Sequence, residues 1–185
     1  MDLIFPNQNT STTTFTLSSG QALYKTSTDL GAKHSKTILI KKLDPDLKEN
    51  GSGERDMAFL EIHKFHDDVC RVWGRDVALK TDGLFTSARS FDASDGKRYT
   101  WKFESSIGRG ELKNASGEII ALSEKYPAQM KLTIEGDGLK IADDIVATFV
   151  IADQWARITN AGYGAPVGKS DIGSGILGSA IASGV

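Results

Sequence analysis

The stretch GYGAPVGKSDIGSG, residues 162–175, has the residue types of a phosphate-binding loop. Such a loop needs a glycine, four further residues and then Gly-Lys-Ser/Thr, so that backbone N–H groups surround the phosphates. Three residues separate Gly164 from Gly168-Lys169-Ser170, and five separate Gly162 from it, so neither glycine has the required spacing. We therefore interpret residues 161–185 as a Gly/Ser/Ala-rich tail that is either disordered or packed on a partner or on the domain.

The segment HKFHDDVC groups five side chains that are able to bind a metal, namely His63, His66, Asp67, Asp68 and Cys70. Structural zinc sites draw four ligands from suitably spaced pairs. In a continuing strand the two histidines would face opposite ways, and no second pair follows. We interpret the segment as a strand end and a solvated turn, and we expect no metal and no cofactor.

Residues for nucleophilic or acid–base catalysis are equally unspecified. Cys70 has no base beside it and lies in an apolar run, which is typical of a small buried side chain. No nucleophile elbow is present. The carboxylate pairs Asp67/Asp68 and Asp143/Asp144 have the positions of turn and helix-cap residues. We expect no catalytic residue, and an enzyme of unknown class is the least favoured alternative.

The tryptophans and one group of lysines are candidates for binding. Trp73, Trp101 and Trp155 would either line a ligand pocket or, as we prefer, belong to the core with their indole N–H groups on local acceptors. Lys33, Lys36, Lys41 and Lys42 flank one predicted strand, and such a group is ordinarily a solvated face.

Composition limits the classes of partner and compartment. The chain has 185 residues and a net charge of −2, whereas a nucleic-acid-binding domain normally carries a basic excess. Cys70 is the single cysteine, so no internal disulfide forms and a reducing compartment is indicated. The N-terminus lacks the features of a secretory signal, and no stretch reaches the roughly 18 apolar residues of a membrane span. We predict a cytoplasmic protein.

Short alternating runs separated by turn signals dominate the first 135 residues. In KRYTWKFES, Tyr99, Trp101 and Phe103 share one face, which is typical of a strand with one buried side. Ser19-Gly20, Asp82-Gly83 and Asp95-Gly96 are hairpin signals. The pattern predicts about 10–12 antiparallel strands in a barrel or sandwich.

The segment KIADDIVATFVIADQWARITN, residues 140–160, changes in character. Asp143 is suited to cap a helix and Asp144 to its first turn, with Arg157 near the other end. Its middle is apolar on every side, so a helix here must be surrounded by other elements. Its β-branched residues leave a strand as the alternative, but length and capping favour a helix.

Two motifs and their order resemble a fungal family of unknown function that is common in mushroom-forming species. The shared positions are Asp95, Gly96, Tyr99, Trp101 and Lys102, followed by Asp144, Ile145, Val146, Thr148 and Phe149. The resemblance covers about residues 12–158. Strands followed by a wholly apolar segment also resemble the tubby-like superfamily, with its tubby C-terminal domains, scramblases and LURP-one-related proteins. That resemblance implies a mainly β fold, a closed antiparallel β-barrel around a central apolar helix.

These expectations define three regions and one main function. We predict a flexible N-terminal arm over 1–11, a tubby-like barrel over 12–160 and the tail over 161–185. We expect a binding or scaffold module without catalytic activity, whose partner is a protein or an anionic membrane surface and not a nucleic acid. Because tubby domains bind phosphoinositide head groups, the resemblance implies an alternative, lipid binding through Lys36, Lys41 and Lys42.

Overall fold

The computed structural model describes residues 1–6, 9–32, 35–44, 53–63, 67–81, 88–104 and 109–158. The described residues form thirteen strands, a short 3-10 helix and one α-helix. The strands of the first half are β1 (Asp2–Pro6), β2 (Thr13–Leu17), β3 (Ala22–Ala32), β4 (Ser35–Leu43), β5 (Glu54–His63), β6 (Val69–Val72) and β7 (Arg75–Asp76). Those of the second half are β8 (Lys80–Thr81), β9 (Arg89–Asp92), β10 (Arg98–Glu104), β11 (Arg109–Asn114), β12 (Ile119–Lys125) and β13 (Gln129–Ile134). The 3-10 helix, Gly136–Ile141, leads directly into α1, Ala142–Ile158.

All strands belong to one antiparallel sheet. Its spatial order is β7-β6-β5-β4-β3-β2-β1-β13-β12-β11-β10-β9-β8. Nearly every neighbour in space is therefore a neighbour along the chain, which is the pattern of successive hairpins. The exception is the ladder of β1 with β13, where Leu3 lies opposite Leu132 and unites the two halves.

Strand β1 lies inside the region that the sequence analysis treats as a flexible arm. Leu3 and Phe5 alternate with more exposed neighbours and are almost completely buried. Thr10 and Ser11 are buried as well. Three apolar residues before Pro6 are too few to indicate a strand by pattern. Of the two strands that pair with β1, β2 follows it closely in the chain, but β13 is more than 120 residues away.

The predicted closed barrel of about 10–12 strands around a central helix is wrong. The sheet is open: β7 and β8 are its two edges, and among the described residues no ladder joins them. Each of these edge strands has only two residues, so neither offers a long row of backbone groups for closure. The mainly β, antiparallel character is as expected. Alternation along a strand reports which face is buried, but it carries no information about closure.

The segment for which the sequence leaves helix and strand as alternatives forms the helix α1. Residues Ile145 to Ala152 are at most 2% exposed. The aromatic core surrounds its middle, with the Phe149 ring centroid 5.8 Å from that of Phe5 and 5.6 Å from that of Trp101. The Trp101 indole also donates to the Thr148 hydroxyl at 3.0 Å. Strands from both halves of the open sheet thus cover the helix, which explains why it needs no polar face.

Candidate functional site

The three lysines of the lipid-binding prediction do not converge on one surface. Lys36 and Lys42 lie on the same face of β4 as the buried residues Ile38 and Ile40, so both face α1. Lys41 points to the other side of β4. Lys36 donates to Gln154 Oε1 at 2.8 Å, near the end of α1. Lys42 donates to Asp143 at the start of that helix. Asp143 and Gln154 are about 16 Å apart along the helix axis, at 1.5 Å per residue.

Lys41 forms its ion pair outside this region, with Glu54 at 3.0 Å. The hydrogen bond with Glu54 raises the pKa of Lys41 and lowers that of the carboxyl. Lys33 lies outside the described residues. Each lysine of the predicted set is thus committed to a partner of its own, and lipid binding stays a prediction that none of these contacts tests.

Asp143, in the first turn of α1, is the centre of a polar network. Its Oδ1 accepts hydrogen bonds from the Tyr24 hydroxyl at 2.7 Å and from Lys42 Nζ at 2.9 Å. Its Oδ2 accepts from the Trp73 indole at 2.8 Å and from Lys42 at 3.0 Å. Burial opposes ionisation, yet the hydrogen bonds from Lys42, Tyr24 and Trp73 together hold the pKa of Asp143 below its usual value. Asp143 is therefore an ionised structural acceptor and a weak base.

Asp144 is the second carboxylate of this turn and is almost entirely buried. Its Oδ1 accepts from Arg75 Nη2, and its Oδ2 accepts from the backbone N–H of Ser94 at 2.8 Å. Arg75 also donates to the Asp92 carbonyl at 3.2 Å. The pair Asp143/Asp144, interpreted from sequence as cap residues, instead fixes two distant hairpins to the helix.

Trp73 lies in the turn between β6 and β7 with a φ of 50°, followed by Gly74 at 77°. Positive φ at both central residues is the type I′ hairpin turn, in which Asn-Gly is preferred and a bulky first residue is unusual. The Arg55 guanidinium lies 5.5 Å from the centroid of its ring, and 47% of the residue remains exposed. Left-handed backbone at a large side chain costs about 1 kcal/mol or more, and such strain concentrates at functional sites.

A cleft of about 380 Å³ opens at this end of α1, and we call it the α1 cleft. Its walls include Lys42, Trp73, Arg75 and the two aspartates, together with Leu139 and Lys140 of the 3-10 helix. Leu139 is 51% exposed, and it and Trp73 are the two most exposed large apolar residues in the described part of the chain. Such side chains grouped in one concave surface indicate a binding site rather than scattered exposure.

The other candidates from the sequence that lie in the described part of the chain do not form a reaction centre. Cys70 is buried, and burial, reinforced by the Asp144 carboxylate, raises the pKa of its thiol to about 12. His34 and His66 lie outside the described residues, and His63 lies 3.5 Å from Glu61. Within the described ranges no three His, Cys, Asp or Glu side chains are grouped as metal ligands.

The three tryptophans do not all fit one of the two interpretations, core residue or pocket residue. Trp101 is fully buried with its N–H on Thr148, as the core interpretation predicts. Trp155 is partly buried, donates to Asp68 and has the Arg89 guanidinium 4.9 Å from its ring. Trp73 lines the α1 cleft. The sequence feature that locates Trp73 is the Trp-Gly dipeptide between two short strands. This dipeptide predicts a turn, but it does not indicate that the ring is exposed.

A single open antiparallel sheet packed on one C-terminal helix defines the structural class. The chain belongs to a family of unknown function, DUF6593, which matches residues 7–158. No curated protein and no solved structure matches it. In the described part of the chain, no helix is long and apolar enough to cross a membrane.

Proposed function

We propose that this protein is a non-catalytic binding module and that the α1 cleft is its ligand-binding site. The observation that carries the proposal is the half-exposed Trp73, held in a left-handed conformation at the rim of the cleft. The exposed ring leaves apolar surface in contact with water, and a ligand that covers it would remove that surface from water. The strained turn that holds the ring there is of the kind that concentrates at functional sites.

The polar groups of the cleft favour binding over proton transfer. Both carboxylates already accept hydrogen bonds on each oxygen, and the pKa of Asp143 lies below its usual value despite burial. A general base needs a pKa near the operating pH and a free lone pair that faces the substrate. These aspartates instead hold the walls of the cleft in place.

The test is a ligand-observed NMR screen of a small-molecule fragment library, run on the native chain and on variants. Trp73→Asn removes the ring but suits the turn, and Trp73→Phe keeps an aromatic ring. Ile119→Asn is the matched control, because Ile119 is 41% exposed and does not line the cleft. We expect fragments that bind the native chain, Trp73→Phe and Ile119→Asn but lose binding to Trp73→Asn. Fragments that bind Trp73→Asn equally well would contradict the proposal.

Four finer expectations stay hypotheses beside this proposal. A fungal source rests on the shared motifs, and kinship with tubby-like proteins rests on the succession of strands and a wholly apolar segment. A cytoplasmic location rests on the single cysteine together with the other sequence features named above. Binding of anionic lipid through Lys36, Lys41 and Lys42 predicts co-sedimentation with phosphoinositide vesicles that weakens with salt and with charge reversal at those lysines. Salt-independent binding or no binding would discard it.

A further inference from the structure

We propose that the α1 cleft takes a small organic anion that carries a flat aromatic ring, with the ring against Trp73 and the anionic group near Lys140, Arg75 and Lys42. The inference rests on the proposed function and specifies the chemistry of its ligand.

The side chains that line the cleft have more unused hydrogen-bond donors than unused acceptors. The four carboxylate oxygens of Asp143 and Asp144 each have a donor already, so a cationic ligand would have to displace an internal ion pair. Lys42 donates two hydrogen bonds of a possible three, both to Asp143, and its Nζ also lies 5.8 Å from the centroid of the Tyr24 ring. Arg75 uses two of five N–H groups, on Asp144 and on the Asp92 carbonyl.

Charge favours the same kind of ligand. Three cationic side chains, Lys42, Arg75 and Lys140, line the cleft against the two aspartates, which gives a net charge of 3 − 2 = +1. Among the residues that the structure describes, Lys140 forms an ion pair with Asp137 alone, at 2.9 Å, and its side chain is 77% exposed. An exposed pair of this kind contributes little to stability, so Lys140 is free to turn toward an anion in the cleft.

The apolar part of the cleft favours a ring. The indole of Trp73 presents a flat surface, and stacked aromatic pairs are stabilised beyond the effect of the area that they bury. Leu139 supplies a second apolar contact on the same cleft. A volume of about 380 Å³ lies at the small end of ligand sites, which suits one or two fused rings better than a lipid tail or a folded partner.

Three matched probes test the inference by isothermal titration calorimetry on the full chain. Naphthalene-1-sulfonate has the ring and the charge, naphthalene-1-sulfonamide has the ring without the charge, and methanesulfonate has the charge without the ring. We expect saturable binding of the first and at least tenfold weaker binding of the other two. Trp73→Asn should weaken naphthalene-1-sulfonate binding at least tenfold, and Lys140→Gln several-fold. Lys102→Gln is the control, since Lys102 is exposed on β10 and does not line the cleft.

The possible results separate this inference from the proposed function. If the sulfonamide binds as tightly as the sulfonate and both depend on Trp73, the α1 cleft is a binding site but the anionic ligand class is wrong. If the sulfonate binds equally well to Trp73→Asn, or does not bind, the inference is overturned, and the fragment screen decides the proposed function by itself. Loss of binding in Lys102→Gln as well would also overturn it, because the charge effect would then not be local.

Discussion

The indole nitrogen of Trp73 donates to Oδ2 of Asp143 at 2.8 Å, and this bond connects the strained β6–β7 turn with the first turn of α1. Lys42 and Tyr24 reach the same carboxylate from β4 and β3. One side chain of the helix therefore fixes three separate parts of the sheet. The α1 cleft keeps its shape because these contacts share a single acceptor, so its stability and its binding should respond together to changes at Asp143.

Replacing Asp143 with alanine should lower the free energy of unfolding by about 2–4 kcal/mol, because three donors lose their charged acceptor. Asp143→Asn should cost less, since its amide oxygen still accepts a hydrogen bond from Tyr24 or Lys42. Urea unfolding at neutral pH measures both. Asp56→Ala is the matched control, because the Asp56 side chain is 85% exposed and lies 4.0 Å from Lys41. Equal costs for Asp143→Ala and Asp56→Ala would contradict the role of Asp143.

Trp73→Asn should change the free energy of unfolding by no more than about 1 kcal/mol. The variant loses the indole hydrogen bond and the contact with Arg55, but asparagine relieves the left-handed strain that costs about 1 kcal/mol or more. Trp73→Phe should be the less stable of the two, because it keeps the strain and loses the bond. Thermal and urea unfolding of both variants test this, and the reverse order would show that the turn is not strained.

The buried carboxyl group of Asp153 should give the free energy of unfolding a pH dependence that is opposite in sign to that of most carboxylates. Its side chain is fully buried, and Oδ2 accepts from Thr10 at 2.6 Å and from Arg157 at 2.7 Å. Oδ1 has no hydrogen-bond partner within the described ranges. Burial raises the pKa of Asp153 above its usual 3.8, although Arg157, Thr10 and Lys36 oppose the shift. The native state therefore keeps a proton that the unfolded state has lost.

The stability that Asp153 contributes is complete below the unfolded pKa of 3.8 and is lost as the pH rises through the folded pKa. The free energy of unfolding of the native chain minus that of Asp153→Asn should accordingly fall as the pH is raised above about 4. Urea unfolding of both proteins between pH 3.5 and 7 measures this difference. A difference that rises with pH would mean that Arg157 outweighs burial and that the pKa is lowered instead.

Much of the local structure follows from the sequence. The alternation of Tyr99, Trp101 and Phe103 predicts the buried face of β10, and the wholly apolar middle of residues 140–160 predicts a covered helix. Both predictions rest on the residue types within one short stretch of sequence. The pairing of β1 with β13 joins residues more than 120 positions apart in the chain, so periodicity cannot reveal it. Periodicity also carries no information on whether the edge strands β7 and β8 pair with each other.

The candidate site was less predictable for the same physical reason. Lys42, Trp73 and Asp143 are separated by 31 and 70 residues, and only the fold places them around one carboxylate. Lys42 belongs to the predicted lysine group, but Lys41 points to the other side of β4 because successive strand residues alternate between faces. Lys36 shares the face of Lys42 and instead reaches the other end of α1. Trp73 was assigned to the core, since an apolar side chain in a short hairpin gives no sign that the turn holds it outward.

The most direct test of the binding site is a crystal structure of the protein soaked with naphthalene-1-sulfonate. We expect one bound molecule in the α1 cleft, with its ring against the Trp73 indole and its sulfonate within hydrogen-bond distance of Lys140, Arg75 or Lys42. A ligand bound only outside the α1 cleft, or Trp73 left uncovered beside it, would contradict the account.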